Sequence, residues 1–273
     1  MRFGVYVPTF GEYDVQTLAE LARESEDAGW DGFFIWDQLI PRPDPEQDLA
    51  DTTVALTAIA LATERLRFGA LVTPLARRRP WKLAKETATL DRLSGGRLVL
   101  GAGLGEEGDI APVGEGAPPR EVAGRLDEAL ELIAAFWTGE RVNHAGEHFR
   151  VDAALRPAPR QRPRIPIWVA GLWPNRAPFR RAARWDGALP LDRDHLLKEL
   201  SPDELRACRD YIAERRDSDD SFDLVAFAVT QPRTPEMVAE YEQAGATWWV
   251  DAVHPLEESL ADFRARIERG PIR

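Results

Sequence analysis

Cysteine is almost missing from this chain. Cys208 is the single copy among 273 residues, so no intrachain disulfide can form and no cysteine cluster can hold a metal. Its neighbours form a charged, helical-looking stretch, and Cys208 receives no functional role. Histidine is nearly as scarce, at four copies. His144 and His148 lie four apart, but Gly146 between them argues against a helix presenting both to one ion, and no carboxylate cluster completes a ligand set. There is no Gly-x-Ser-x-Gly elbow, which leaves a serine hydrolase without support. No apolar run approaches the roughly 20 residues that span a bilayer. Basic residues are outnumbered, 35 against 46 acidic ones, for a net charge of −11. Such a surface repels nucleic acid on average, because phosphate binding needs concentrated positive charge. The first eight residues enter a strand-like pattern at once and leave no room for a secretory signal, so cytoplasmic residence is the expectation.

What is present is a regular alternation. Short apolar runs at residues 3–7, 33–36, 67–73 and 98–100 read as strands, and helical spacing separates them. Val15, Leu18, Ala22 and Ser25 share one helix face. Residues 53–63 form the second helix, and Trp81, Ala84, Ala88 and Leu93 mark the third. The fourth helix carries Val122, Leu126, Leu130, Ile133 and Trp137 at intervals of three or four. Periodicity then lapses over residues 142–163, where a turn at Gly146 predicts a hairpin and a loop laid over the outside. Four further strands follow at 167–170, 187–189, 224–229 and 248–250. Their helices fall at 176–184, 202–216 and 235–244, with Leu256, Leu260, Phe263 and Ile267 forming the last apolar stripe. Eight units in one domain, residues 1–273, predict an α/β fold of the (β/α)₈ TIM-barrel type, which commonly needs about 250 residues. The continuously apolar strands suit a parallel sheet buried on both faces. A doubly wound open sheet is the alternative, disfavoured because no Gly-rich dinucleotide turn follows the first strand.

In such a barrel the working groups lie where strands end. Trp36, Asp37 and Gln38 end the second strand; the acid beside the amide can orient a polar ring or accept a proton, and Asp37 can equally cap the next segment. After the third strand come Leu71, Val72 and Thr73, then Arg77, Arg78 and Arg79, whose forks suit phosphate or carboxylate or else form a solvated helix start. Gly101, Gly103 and Gly105 bracket Leu104 after the fourth strand. Their backbone can approach a ring or phosphate closely, or simply make a tight turn. After the fifth strand, Ala170, Gly171 and Leu172 lead to Asn175 and Arg176, a turn into a helix N-terminus that can bind an anion, with Asn175 alternatively only a cap. Most of the nine tryptophans sit at core-like positions.

Residues 90–103, LDRLSGGRLVLGAG, resemble the LD-x-LS-x-GR-x-x-x-G-x-G signature of the luciferase-like monooxygenase superfamily, which includes FMN-dependent monooxygenases and coenzyme F420-dependent oxidoreductases. Residues 28–37, the His148-Phe149 hairpin running on to Arg156 and Pro157, and residues 166–171 agree, so the similarity extends over nearly the whole chain. The resemblance implies a luciferase-like barrel whose strand ends bind a flavin or deazaflavin ring, with Asp37 and Gln38 contacting ring or substrate. It implies that Leu71, Val72 and Thr73 support the ring, with a non-proline cis peptide near Leu71-Val72. It further implies that Gly103, Leu104 and Gly105, together with Ala170, Gly171, Leu172, Asn175 and Arg176, hold the cofactor's chain and phosphate. The implied activity is hydride transfer on a small organic substrate by a homodimer. Arg77, Arg78 and Arg79 favour the more anionic F420 over FMN. Two positions depart from the pattern: Gln38 stands where relatives often carry histidine, and Leu104 where a polar residue commonly follows the GxG. A non-catalytic flavin-binding barrel is therefore the competing expectation, and a metal-assisted hydrolase built on His144 and His148 a third.

Overall fold

The computed structural model describes residues 1–41, 44–194, 199–228, 234–253 and 258–272. Val229 and Leu256, assigned above to the seventh strand and the last helix, lie outside them. The chain alternates strands and helices in the order β1 (Arg2–Val7), α1 (Val15–Asp27), β2 (Gly32–Ile35), α2 (Thr52–Ala62), β3 (Arg67–Ala70), β4 (Thr73–Pro74) and α3 (Pro80–Leu93). It continues with β5 (Leu100–Gly103), α4 (Glu107–Ile110), α5 (Pro119–Trp137), β6 (Arg141–Ala145), β7 (Arg150–Ala154), β8 (Ile167–Trp173) and α6 (Arg176–Ala182). Last come β9 (Gly187–Asp192), α7 (Pro202–Ala213), β10 (Asp223–Ala228), α8 (Pro235–Ala244), β11 (Trp248–Ala252) and α9 (Leu260–Glu268). Side-chain caps define several starts: Asp14 accepts from Thr17 N, Asp51 from Val54 N, and Ser201 and Glu204 form a capping box.

All strands except β6 and β7 join one parallel sheet in the order β3-β2-β1-β11-β10-β9-β8-β5-β4. The sheet closes where Phe68 in β3 meets the chain just ahead of β5: Val99 N donates to Phe68 O at 2.9 Å and Phe68 N to Arg97 O at 3.3 Å. Because β4 continues the third strand after a two-residue break, the barrel has the eight staves expected. β6 and β7 pair antiparallel outside it, as the turn at Gly146 predicts. The fifth strand is longer than expected, running past Ala170 to Trp173, and α4 was not anticipated.

Alternation along the strands sorts side chains into two layers. Phe33 and Ile35 face the helices, while Phe34 faces the lumen with Val99, Trp168, Val225, Trp248 and Val250. Phe34, Trp168 and Trp248 meet at ring centroid distances of 5.3–5.7 Å and plug the lower lumen. Each is fully buried, and burial of a side chain of this size contributes about 1.5–3 kcal/mol.

The N-terminal end of the barrel is braced by three charged residues. Asp91, fully buried, accepts from Arg160 N, Gln161 N and Gln161 Nε2 at 2.6–3.0 Å. The guanidinium of Arg97 donates to Ser94 O, Thr63 Oγ1, Leu66 O, Ala60 O and Thr63 O, which uses every donor it has. Glu26 accepts from the amides of Glu64, Arg65 and Leu66, pinning α1 to the loop before β3. The LDRLSGGR segment is thus a structural brace, remote from the strand C-termini.

Candidate active site

A cavity of about 400 Å³ opens at the C-terminal ends of the strands. Of the residues expected there, Asp37, Gln38, Leu71, Val72, Gly103, Leu104, Gly105, Ala170, Gly171, Leu172 and Asn175 all lie on its wall. Thr73 and Arg176 do not. Strand alternation turns Val72 inward and Thr73 outward, where Thr73 lines a small void with Arg78 and Glu86 between the barrel and the helices. Arg176 stacks on Trp173 and Tyr211, its Cζ 4.1 and 4.5 Å from the ring centroids.

The floor is aromatic. Tyr6 at the end of β1 stacks on Trp36 at 5.8 Å and meets Phe227 edge-on at 5.2 Å. Its hydroxyl donates to the carbonyl oxygen of Leu71. Burial pushes the Tyr6 pKa up, and the charges of Glu106 and Asp37 push it further, so the hydroxyl stays a donor at any working pH. The Leu71-Val72 peptide is cis, where the resemblance placed it, and Leu71 and Val72 form a bulge into the cavity. Two polar atoms buried in the wall, Trp36 Nε1 and Gln38 Oε1, have no hydrogen-bond partner.

Asp37 is neither a helix cap nor a free acid. Its carboxylate takes Arg77 Nη2 at 2.5 Å and Arg78 Nη2 at 2.7 Å, and Arg77 Nη1 reaches on to Asp109 at 2.9 Å. Asp109 also accepts from the amides of Leu39 and Ile40 at 2.7 and 2.8 Å. The Asp37 and Arg77 side chains are only 2% and 8% exposed. These contacts tie together the loops after β2, β4 and β5. They also correct the anion reading of the arginine run, since Arg77 and Arg78 are committed to internal carboxylates, while Arg79 is the N-cap residue of α3.

Two glycines have a cause other than the one expected. A Cβ on Gly103 would stand 2.2 Å from Val72 Cγ2, and one on Gly171 would stand 2.3 Å from Pro178 Cβ. Gly103 makes room for the Leu71-Val72 bulge, and Gly171 lets α6 close on β8. The side chains of their neighbours, not a ligand, fill those spaces.

Several wall residues escaped the sequence reading: Tyr6, Phe227, Leu191, Glu106 and Arg181. Arg181 is the arginine on this wall among the described residues, and it pairs with Asp127 of α5 through Nε at 2.6 Å and Nη2 at 2.9 Å. A basic residue two turns into a helix gives no sequence cue that it faces a cavity. His144 and His148 lie elsewhere. His144 Nε2 sits 2.7 Å from Glu128 Oε1, and the backbone N–H of His148 donates to Glu128 Oε2. Both belong to the clasp between α5 and the outer hairpin, and among the described residues no group of three His, Cys, Asp or Glu is placed to hold a metal. No described helix is long and apolar enough to cross a membrane.

A closed (β/α)₈ barrel with an aromatic-floored cavity at its strand ends is the class that fold and site define together. The profile of the luciferase-like monooxygenases matches residues 1–270, and the chain belongs to that family. It is 35% identical over 179 residues to an F420-dependent glucose-6-phosphate dehydrogenase of Nakamurella multipartita, covering 64% of this chain and 51% of the relative. The enzyme of the same name from Nocardia farcinica is 30% identical over 236 residues, covering 84% and 69%. The chain spans about half the length of most of the curated relatives it matches. Among solved structures, the coenzyme F420-dependent tetrahydromethanopterin reductase of Methanopyrus kandleri superposes with a TM-score of 0.78 at 18% identity, over 98% of this chain and 96% of that one. An FMN complex of the oxygenating constituent of 3,6-diketocamphane monooxygenase from Pseudomonas putida reaches 0.68 at 17% identity, over 84% and 67%. At these identities the structures share the fold.

Proposed function

We propose that the cavity holds the ring of coenzyme F420, with FMN as the alternative, and that the chain is an oxidoreductase acting on a small organic substrate. The observation that carries this reading is the cavity itself. Its volume lies in the range of ligand sites, roughly 300–1,000 Å³. Tyr6, Trp36, Phe227, Leu71 and Val72 offer flat and aliphatic surface to a ring, and the unpaired Trp36 Nε1 and Gln38 Oε1 leave hydrogen-bonding capacity unused by the protein. The preference for F420 rests on the names of the curated relatives, because the arginine run that first favoured it is internally paired.

When bound, the cofactor ring supplies hydride transfer, which no side chain provides. The chain's residues orient and exclude. Leu71 and Val72 support the ring face, the Tyr6 hydroxyl fixes the Leu71 carbonyl, and Leu104 and Leu191 keep water from the mouth. Gln38 can orient a substrate by hydrogen bonding but cannot exchange a proton at working pH. Asp37 is held between two guanidiniums. Glu106, exposed on the same wall, is the carboxylate placed to exchange a proton with a bound substrate.

Titration of the purified protein with F420 and with FMN, followed by fluorescence, tests the reading. Binding of F420 is expected, and failure of both rings to bind overturns it. A second reading, a barrel that binds the ring without turnover, is favoured by Gln38; binding with no oxidation or reduction by any candidate substrate would select it. For the assembly, we propose a cytoplasmic homodimer joined through α2, whose outward Val54 and Leu61 are 55% and 68% exposed. Light scattering at a monomer mass would refute the dimer.

A further inference from the structure

We infer that Arg181 is the residue that recognises the phosphate of the cofactor, with Asp127 holding its guanidinium in place. The inference rests on the ring-cofactor reading above and replaces the expected role of Arg176. Among the described residues, Arg181 is the cation on the cavity wall, and it shares that wall with Asn175 and Pro178 at the start of the same helix. The residue is 9% exposed, so it is committed to one orientation by its surroundings. Asp127 engages only the Nε–Nη2 edge. Among the described residues Arg181 binds no other acceptor, which leaves the Nη1 amino group and one Nη2 hydrogen of a five-donor fork for a ligand.

The burial of the pair is unequal, and the inequality gives it a direction. The Asp127 side chain is 43% exposed, whereas that of Arg181 is 8% exposed. Water screens the carboxylate from outside, while the guanidinium sits under low-dielectric cover next to the cavity. The pair is neutral as a whole but presents its positive end inward. A phosphate monoester or diester, planar-fork compatible and anionic at working pH, is the chemistry that such an end recognises. Arg176, by contrast, is exposed and held over two aromatic rings outside the wall.

The test compares ligands that differ in phosphate. Dissociation constants are measured by fluorescence for F420 against its phosphate-free 8-hydroxy-5-deazariboflavin core, and for FMN against riboflavin, using wild type, Arg181→Gln and Arg181→Lys. The Gln variant is expected to weaken the phosphate-bearing member of the pair that binds by about tenfold to hundredfold and its phosphate-free member by less than about threefold. Lys should recover part of the loss, because it restores charge without the fork. Equal weakening of both members, or none in either, would overturn the inference. Should Arg181→Gln fail to fold, inorganic phosphate on wild type serves the same purpose: it must displace the phosphate-bearing ligand and spare the phosphate-free one, and the opposite result overturns the assignment. Wild type binding none of the four would remove the ring-cofactor reading itself, and this inference with it.

Discussion

At the two ends of the barrel, buried charge does different work. At the N-terminal end Asp91, Arg97 and Glu26 are each engaged by several groups, mostly backbone, of neighbouring loops, and among the described residues no cavity opens beside them. At the C-terminal end Asp37, Arg77, Arg78 and Asp109 also tie loops together, yet they do so around a cavity. Bracing at one end fixes where the strands begin. Bracing at the other fixes the mouth of a site. Residue types alone do not assign a charged cluster to chemistry or to architecture. What decides is whether an open edge remains, as it does at Arg181 and does not at Arg97.

Mutation should separate the two ends. Asp91→Ala should have the largest effect on stability, about 3–5 kcal/mol in chemical denaturation, because three donors lose their acceptor in a fully buried place. The folded fraction should bind the ring with unchanged affinity; weakened binding would show the ends to be coupled. Arg77→Gln should cost less, about 2–3 kcal/mol, since Asp37 keeps Arg78. It should also weaken ring binding severalfold by releasing the loops after β2 and β5, and unchanged binding would deny the network its role at the mouth. Glu26→Gln should cost about 1–2 kcal/mol at neutral pH. Burial pushes the Glu26 pKa up, but hydrogen bonds from Leu66, Glu64 and Arg65 outweigh it and hold the group below the ordinary carboxylate range. A depressed folded pKa contributes stability that is present above the unfolded value, near 4.3, and is lost as pH falls through the folded one. Wild type should therefore lose more stability than the Gln variant between about pH 5 and pH 3, and parallel acid limbs would contradict this.

Much of the architecture was legible in the sequence because eight strand-like runs and their helical spacers obey simple periods. Sidedness was not. Strands buried on both faces read as unbroken apolar runs, so Tyr6, Val72 and Phe227 look no different from Val5, Thr73 or Ala226, although alternation sends the first set to the cavity and the second to the helix layer. Leu71, Val72 and Gln38, which the resemblance assigned to ring or substrate, lie on the cavity wall, whereas its most specific segment, LDRLSGGR, belongs to a brace. Glycines 103 and 171 were visible as special, but the sequence could not show that Val72 and Pro178 fill the spaces they leave. Arg181 was hidden by its position in a basic stretch, where Arg180 is exposed and Arg184, beyond the helix, pairs with Glu131 instead.

The smallest expected effect on stability gives a narrow test of the site. Glu106 is exposed, so Glu106→Gln should lower the unfolding free energy by no more than about 1 kcal/mol, the usual ceiling for an exposed charged contact. The ring should still bind, because the aromatic floor and the Leu71-Val72 bulge are untouched. If Glu106 exchanges the proton that accompanies hydride transfer, loss of its carboxylate should lower turnover by about a hundredfold at neutral pH, within the range attributed to general acid–base catalysis. A variant with full turnover would place proton exchange in solvent, and the C-terminal network would then serve only to shape the cavity.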